Sequence, residues 1–137
     1  MQTAADYIRE VSSSITDSYP RDCVWHACRI AELLLAEGRA PWIGRVRDER
    51  RLGDRVWFGP LIPKRLPNFT WTTHFVACSD GEVYDPLAGA PVPVGELASR
   101  IFGRSIAFAV HLDAAETERL LKSGTIRKAF PPFVKLG

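Results

Sequence analysis

The dipeptide Asp80-Gly81 constrains this chain more than any other feature. It separates a run rich in Thr and aromatics, residues 68–77, from the short run 82–84. Asp-Gly between two β-prone segments sets a two-residue hairpin turn. Such a turn dictates the pairing: Ser79 opposes Glu82, Val76 opposes Asp85 and His74 opposes Leu87. Opposed residues share a face of the sheet, and so do residues two apart on one strand. His74 and Asp85 therefore project from the same side as diagonal neighbours, with Cα atoms about 7–8 Å apart. An imidazole and a carboxylate can meet across that distance. A slip of one residue would send them to opposite faces.

The rest of the chain arranges itself around this hairpin. Tyr7, Ile8, Val11 and Ile15 recur at helical spacing, which predicts an amphipathic helix over residues 3–15. Asp17-Ser18-Tyr19-Pro20 breaks it. Asp22 is a suitable N-cap for a second helix over 23–37, stopped by Gly38. That helix is apolar on most of its circumference, so it is expected to be largely buried. Short strands are expected at 42–46 and 55–58, and Pro60, Pro63 and Pro67 mark an irregular loop. Asp85-Pro86 ends the return strand of the hairpin. Further on, 94–102 reads as a short helix stopped by Gly103, and 105–112 reads as a strand. Asp113 with Glu116 forms a capping box for a helix through Lys122, ended by Gly124, and 127–137 reads as an extended or loose tail. Helices first and mostly antiparallel strands afterwards make an α+β fold, here a single domain over 1–137 with N-terminal helices packed on the sheet.

Composition excludes several classes. With 46% hydrophobic and 25% charged residues in 137, the chain is neither disordered nor low-complexity. No apolar stretch approaches the roughly 20 residues of a membrane span, and the amino end lacks a secretory signal pattern. A net charge of +2 is too balanced to argue for nucleic acid. Arginines do cluster at 39, 45, 47, 50, 51 and 55, interleaved with Asp48, Glu49 and Asp54; this reads as a solvated mixed-charge loop, the alternative being a patch for an acidic partner. Three cysteines leave one odd thiol and are too sparse for a disulfide scaffold, so free thiols in a reducing cytosol are expected.

Cys23 is the residue that turns this architecture toward chemistry. At the first turn of the buried helix, exposed N–H groups and the positive end of the helix dipole favour a thiolate. A thiolate nucleophile needs a base to move protons, and the base needs an orienting group. The hairpin supplies His74 for the first role and Asp85 for the second. Taken singly, each has a plainer explanation: a small core residue, a structural histidine, a turn former before proline. Their order and shared face favour the catalytic reading. The backbone N–H of Cys23 is one natural oxyanion donor. Trp25, Trp57 and Trp71 are candidates for a substrate groove. Cys28 reads as core and His111 as structural. Cys23, His26, His74 and Cys78 form an alternative zinc set, without a CxxC pair. No cofactor is implied.

The segments Asp22-Cys23-Val24-Trp25-His26-Ala27, Trp71-Thr72-Thr73-His74-Phe75-Val76 and Gly81-Glu82-Val83-Tyr84-Asp85-Pro86 resemble the papain-like superfamily. The resemblance is nearest to its compact bacterial branches: papain-fold toxin domains of polymorphic toxin systems, glutamine deamidase effectors and transglutaminase-like hydrolases. It covers about half the chain. It implies a papain-like fold and a Cys–His–Asp triad acting on an amide or thioester carbonyl through an acyl-enzyme. Cys23 is then the nucleophile, His74 the general base and acid, and Asp85 the orienting residue. Larger members place a Gln before the cysteine as second oxyanion donor; the only Gln here is Gln2, so Tyr19 or another backbone N–H has to take that place. The resemblance further implies a protein substrate, a cognate inhibitor or immunity protein, and action in a cytosol, its own or that of a target cell. The rival readings are a non-catalytic protein-binding module of the same fold and the zinc-binding domain.

Overall fold

The computed structural model describes residues 2–15, 19–59, 61–67 and 71–131. Helix α1 spans Ala4–Ser13. It opens on a reciprocal cap: Thr3 Oγ1 accepts the Asp6 N–H at 3.0 Å, and the Asp6 carboxylate accepts the Thr3 N–H at 3.3 Å. Ala4, Tyr7 and Ile8 form its buried stripe.

Helix α2 spans Tyr19–Ala36, so it begins one turn before the expected start and Asp22 is not its cap. Pro20 is its second residue, a place where the missing proline N–H costs nothing. Asp17 and Ser18 of the expected break lie outside the described residues. The helix ends in a left-handed Gly38 (φ 80°), with Arg39 N–H reaching Leu34 O and Gly38 N–H reaching Leu35 O. Cys23, Ala27, Cys28, Ile30, Ala31 and Leu34 are buried along it.

The sheet is antiparallel throughout. Strand β1 is Trp42–Leu52, β2 Arg55–Gly59, β3 His74–Ser79, β4 Glu82–Tyr84, β5 Val92–Pro93 and β6 Ala107–Leu112. The first half of β1 is central, flanked by β3 and β6, and β4 and β5 follow outward from β3. Strand β1 runs six residues beyond the expected end at Val46: its second half leaves the sheet body as a two-stranded ribbon with β2, turning at Gly53 (φ 62°). An unbroken run of charged residues over 47–51 hid that continuation, because it lacks the apolar alternation that marks a strand. The strand expected at 68–77 begins at His74 and reaches Ser79; residues 68–70 lie outside the described residues, and Trp71 makes only an isolated bridge to Leu61.

The segment 94–102 is not one helix but a 3-10 turn at Val94–Glu96 followed by a π-turn at Ala98–Phe102, closed by Gly103 in the left-handed region (φ 72°). Helix α3, Ala114–Ser123, is capped by Asp113, whose carboxylate accepts the Glu116 N–H; only this half of the expected box forms. The tail departs from its extended reading, since Ile126–Ala129 is a 3-10 turn that buries Ile126 and leads into buried Phe130, while 132–137 lie outside the described residues. The outcome is an α+β fold with α1 and α2 packed on an antiparallel sheet. Where α2 meets β3 and β4, polar side chains stand inside the apolar layer.

Candidate active site

The hairpin of β3 and β4 positions two of the three polar side chains. Asp80 (φ 55°) and Gly81 (φ 77°) both take left-handed conformations, the type I′ turn expected of Asp-Gly. The register is Ser79 with Glu82, Cys78 with Val83 and Ala77 with Tyr84, as the turn dictates. His74 and Asp85 meet on one face, with Nε2 2.7 Å from Oδ2. His74 is 0% exposed and Asp85 1%.

A buried carboxylate must be satisfied by donors. Asp85 has three. His74 takes Oδ2, while Oδ1 accepts the Tyr19 hydroxyl at 3.0 Å and the Leu87 N–H at 2.9 Å. The Leu87 contact is an Asx turn: the aspartate bonds the backbone two residues on. One oxygen of Asp85 therefore builds the turn and the other steers the imidazole. Sequence reasoning missed the Leu87 N–H, although Asp-Pro-Leu carries the signal of such a turn.

Helix α2 brings Cys23 near the His74 ring. The His74 Nδ1 is buried and has no hydrogen-bond partner among the described residues. The Cys23 thiol lies close enough to raise the imidazole pKa, yet the contact falls short of hydrogen-bond geometry. Catalytic contacts are often looser than this ideal before substrate arrives. Burial by itself disfavours a charged ring; the charge of Asp85 and its hydrogen bond outweigh that penalty, with Cys23 adding to them, so the His74 pKa is raised to about 10. The Trp71 indole stacks on the ring, centroids 4.4 Å apart and planes 10° from parallel, and Phe102 meets it edge-on at 6.1 Å. The gap between α2 and the hairpin, lined by Tyr19, Cys23 and Asp85, is too narrow for a water molecule. Cys23 retains 6% exposure.

Several expected roles move. Cys23 is the fifth residue of α2, beyond the first-turn N–H groups that a helix start leaves unpaired, so its N–H is not the expected oxyanion donor. The Tyr19 hydroxyl is committed to Asp85 and does not point at an oxyanion. Its pKa stands well above the usual value, through burial first and then the neighbouring Asp85 charge, so it remains a donor. The three tryptophans do not share a groove. Trp71 is buried against His74. Trp25 points to a separate cavity of about 350 Å3 beside Arg29 and Arg127, with the Arg127 guanidinium 5.6 Å from its ring centre. Trp57 stands on the β1–β2 ribbon.

The zinc set does not assemble. His26 Nδ1 is bonded to the Tyr7 hydroxyl at 2.7 Å with its ring stacked on Tyr19, and no group of three or more His, Cys, Asp or Glu among the described residues is arranged to hold a metal. Burial pushes the Cys28 thiol up to about 11 and that of Cys78 higher still. His111 is a packed residue whose Nε2–H donates to Ala129 O at 2.8 Å. No described helix is long and apolar enough to cross a membrane. No protein family, curated protein or solved structure matches the chain.

Proposed function

We propose that this chain is a cysteine-dependent hydrolase or acyltransferase of papain-like fold, acting on protein amide groups as a glutamine deamidase or protease. The observation that carries this reading is the His74 imidazole: Asp85 holds one nitrogen, the other is buried and unbonded among the described residues, and Cys23 is near enough to act on the ring's charge. A structural histidine would have both nitrogens satisfied. Cys23 Sγ attacks the carbonyl carbon. The proton held on His74 passes to the leaving amine as the C–N bond breaks, leaving an acyl-thioester on Cys23. Water then attacks that thioester, His74 takes the water proton, and the Cys23 thiolate leaves with the acid product formed, which restores the starting thiolate and protonated ring. If an amine takes the place of water, the same intermediate gives transamidation. The raised pKa of His74 suits the first step, since the ring carries the proton the leaving group needs. By the resemblance in its motifs, the chain acts as a toxin or effector domain in a cytosol, with a cognate inhibitor or immunity protein.

The closed crevice favours one rival, a protein-binding module that keeps the fold without the chemistry. Acylation separates the two. Mixed with p-nitrophenyl acetate, the enzyme gives a burst of nitrophenol and an acetyl adduct that peptide mapping places on Cys23, absent in Cys23→Ala and in His74→Ala. No burst, or adducts spread equally over Cys23, Cys28 and Cys78, overturns the catalytic reading.

A further inference from the structure

The β1–β2 ribbon is a substantial feature that this chemistry leaves unused. It continues β1 directly from the site, since Val46 on β1 pairs with His74. Beyond Arg47, which still pairs with Ala107 of β6, the strand leaves the sheet body and pairs with β2. Leu52 is 71% exposed, Val56 46% and Trp57 50%, three of the five large apolar side chains that stand exposed among the described residues. With Arg55 they line a shallow depression of about 500 Å3. Single exposed apolar residues are ordinary, whereas a cluster on one projecting element marks a contact surface.

The backbone of the ribbon is also unfinished. Among the described residues β2 pairs with β1 alone. The two-residue turn at Gly53-Asp54 makes Leu52 and Arg55 a hydrogen-bonded pair, and bonded and non-bonded pairs then alternate, so Arg50–Trp57 is bonded and Arg51–Val56 is not. The N–H and C=O of Val56 and Phe58 therefore face the open edge. An open edge with apolar side chains is a template for another strand.

Charge states what kind of strand. Residues 45–55 hold five arginines and three carboxylates. Asp48 is buried and shared by Arg50 and Arg104, at 3.3 and 3.1 Å. On the ribbon face that carries Leu52 and Trp57, Arg50 and Arg55 are the neighbouring side chains. Like charges set a second copy of the ribbon against itself, while an acidic strand complements it.

We propose that the free edge of β2 is a docking site for an extended, acidic segment of a partner protein, which adds to the sheet as a strand beside Val56 and Phe58. Trp57 and Leu52 supply the apolar contact and Arg55 the charge selection. The site is independent of the acyl-transfer reading, and the test is run in both the wild-type and Cys23→Ala proteins so that each can fail alone.

The probe is a fluorescein-labelled heptapeptide of alternating glutamate and valine, with a twin in which lysine replaces glutamate. By fluorescence anisotropy the acidic peptide binds at least about tenfold more tightly than its twin, and the difference shrinks in high salt. Val56→Pro removes an edge donor without touching the bonds to β1, and lowers affinity about tenfold or more. Trp57→Ala does likewise, and covers the case in which the proline variant misfolds by circular dichroism. Equal binding of the two peptides overturns the proposal, as does no binding of the acidic peptide up to about 1 mM. A concentration-dependent dimer lost in Val56→Pro assigns the edge to a second copy instead. Stronger binding of a single-stranded oligonucleotide that competes with the peptide assigns it to nucleic acid.

Discussion

Asp85 is a side chain whose two oxygens have different duties, and that division gives its neighbours testable weights. The Tyr19 hydroxyl holds Oδ1 and so leaves Oδ2 to His74. Tyr19→Phe removes a donor to a buried charge, a change worth about 1.5–3 kcal/mol of stability. It is also expected to slow the alkylation of Cys23 by iodoacetamide about tenfold and to displace the pH profile of that reaction. A role in packing alone leaves the profile in place. The His74 pKa, raised to about 10, carries its own prediction. A group raised on folding stabilises the protein fully below its free value near 6.5, and that contribution is lost as pH climbs toward 10. Urea midpoints should therefore fall between those limits in the wild type and stay flatter in His74→Phe. Cys28 and Cys78, buried with raised pKa values, are expected to resist alkylation until the protein unfolds.

Elements differ in how plainly their residues announce them. The β3–β4 hairpin was legible down to its register because Asp-Gly admits one kind of tight turn, and the register alone brings His74 to Asp85. Inserting one alanine after Gly81 should leave the fold's helix content unchanged by circular dichroism and abolish acylation, because Asp85 then swings to the other face. The start of α2 was not legible: Asp22 has the chemistry of a cap, but Pro20 is equally at home in a first turn, and packing of Tyr19 against Asp85 extends the helix backward. That extension is what removed Cys23 from the first turn and Tyr19 from the oxyanion role. The roles of Trp71 and the Leu87 N–H depend on how a proline-rich loop and an Asx turn lie in space, which no period in the sequence encodes. Gly44 illustrates an element held by contact. A Cβ there would sit 2.5 Å from the Phe108 ring and 3.3 Å from Val76, so Gly44→Ala is expected to cost about 1–3 kcal/mol in chemical denaturation.

At the scale of the molecule, the catalytic reading divides the site between two bodies. Helix α2 brings the sulfur, and one hairpin brings both the imidazole and the carboxylate. The seam between them is closed to water, so turnover requires the two to part. Small and bulky thiol reagents should separate on this point: iodoacetamide reaches Cys23 at least about tenfold faster than a maleimide carrying a large aromatic group, and mild denaturant narrows the ratio. Equal rates indicate an open site. The α+β class and the antiparallel sheet were readable from element order, while the projecting ribbon was not, because its charges mask its strands. The stacking of Trp71 on His74 has one more consequence. A protonated imidazole lying flat on an indole draws off its excited state, so the emission of Trp71, isolated by subtracting the spectrum of Trp71→Phe, brightens as the ring gives up its proton. The protein thus carries a built-in optical gauge of its own charge state, readable without label or substrate.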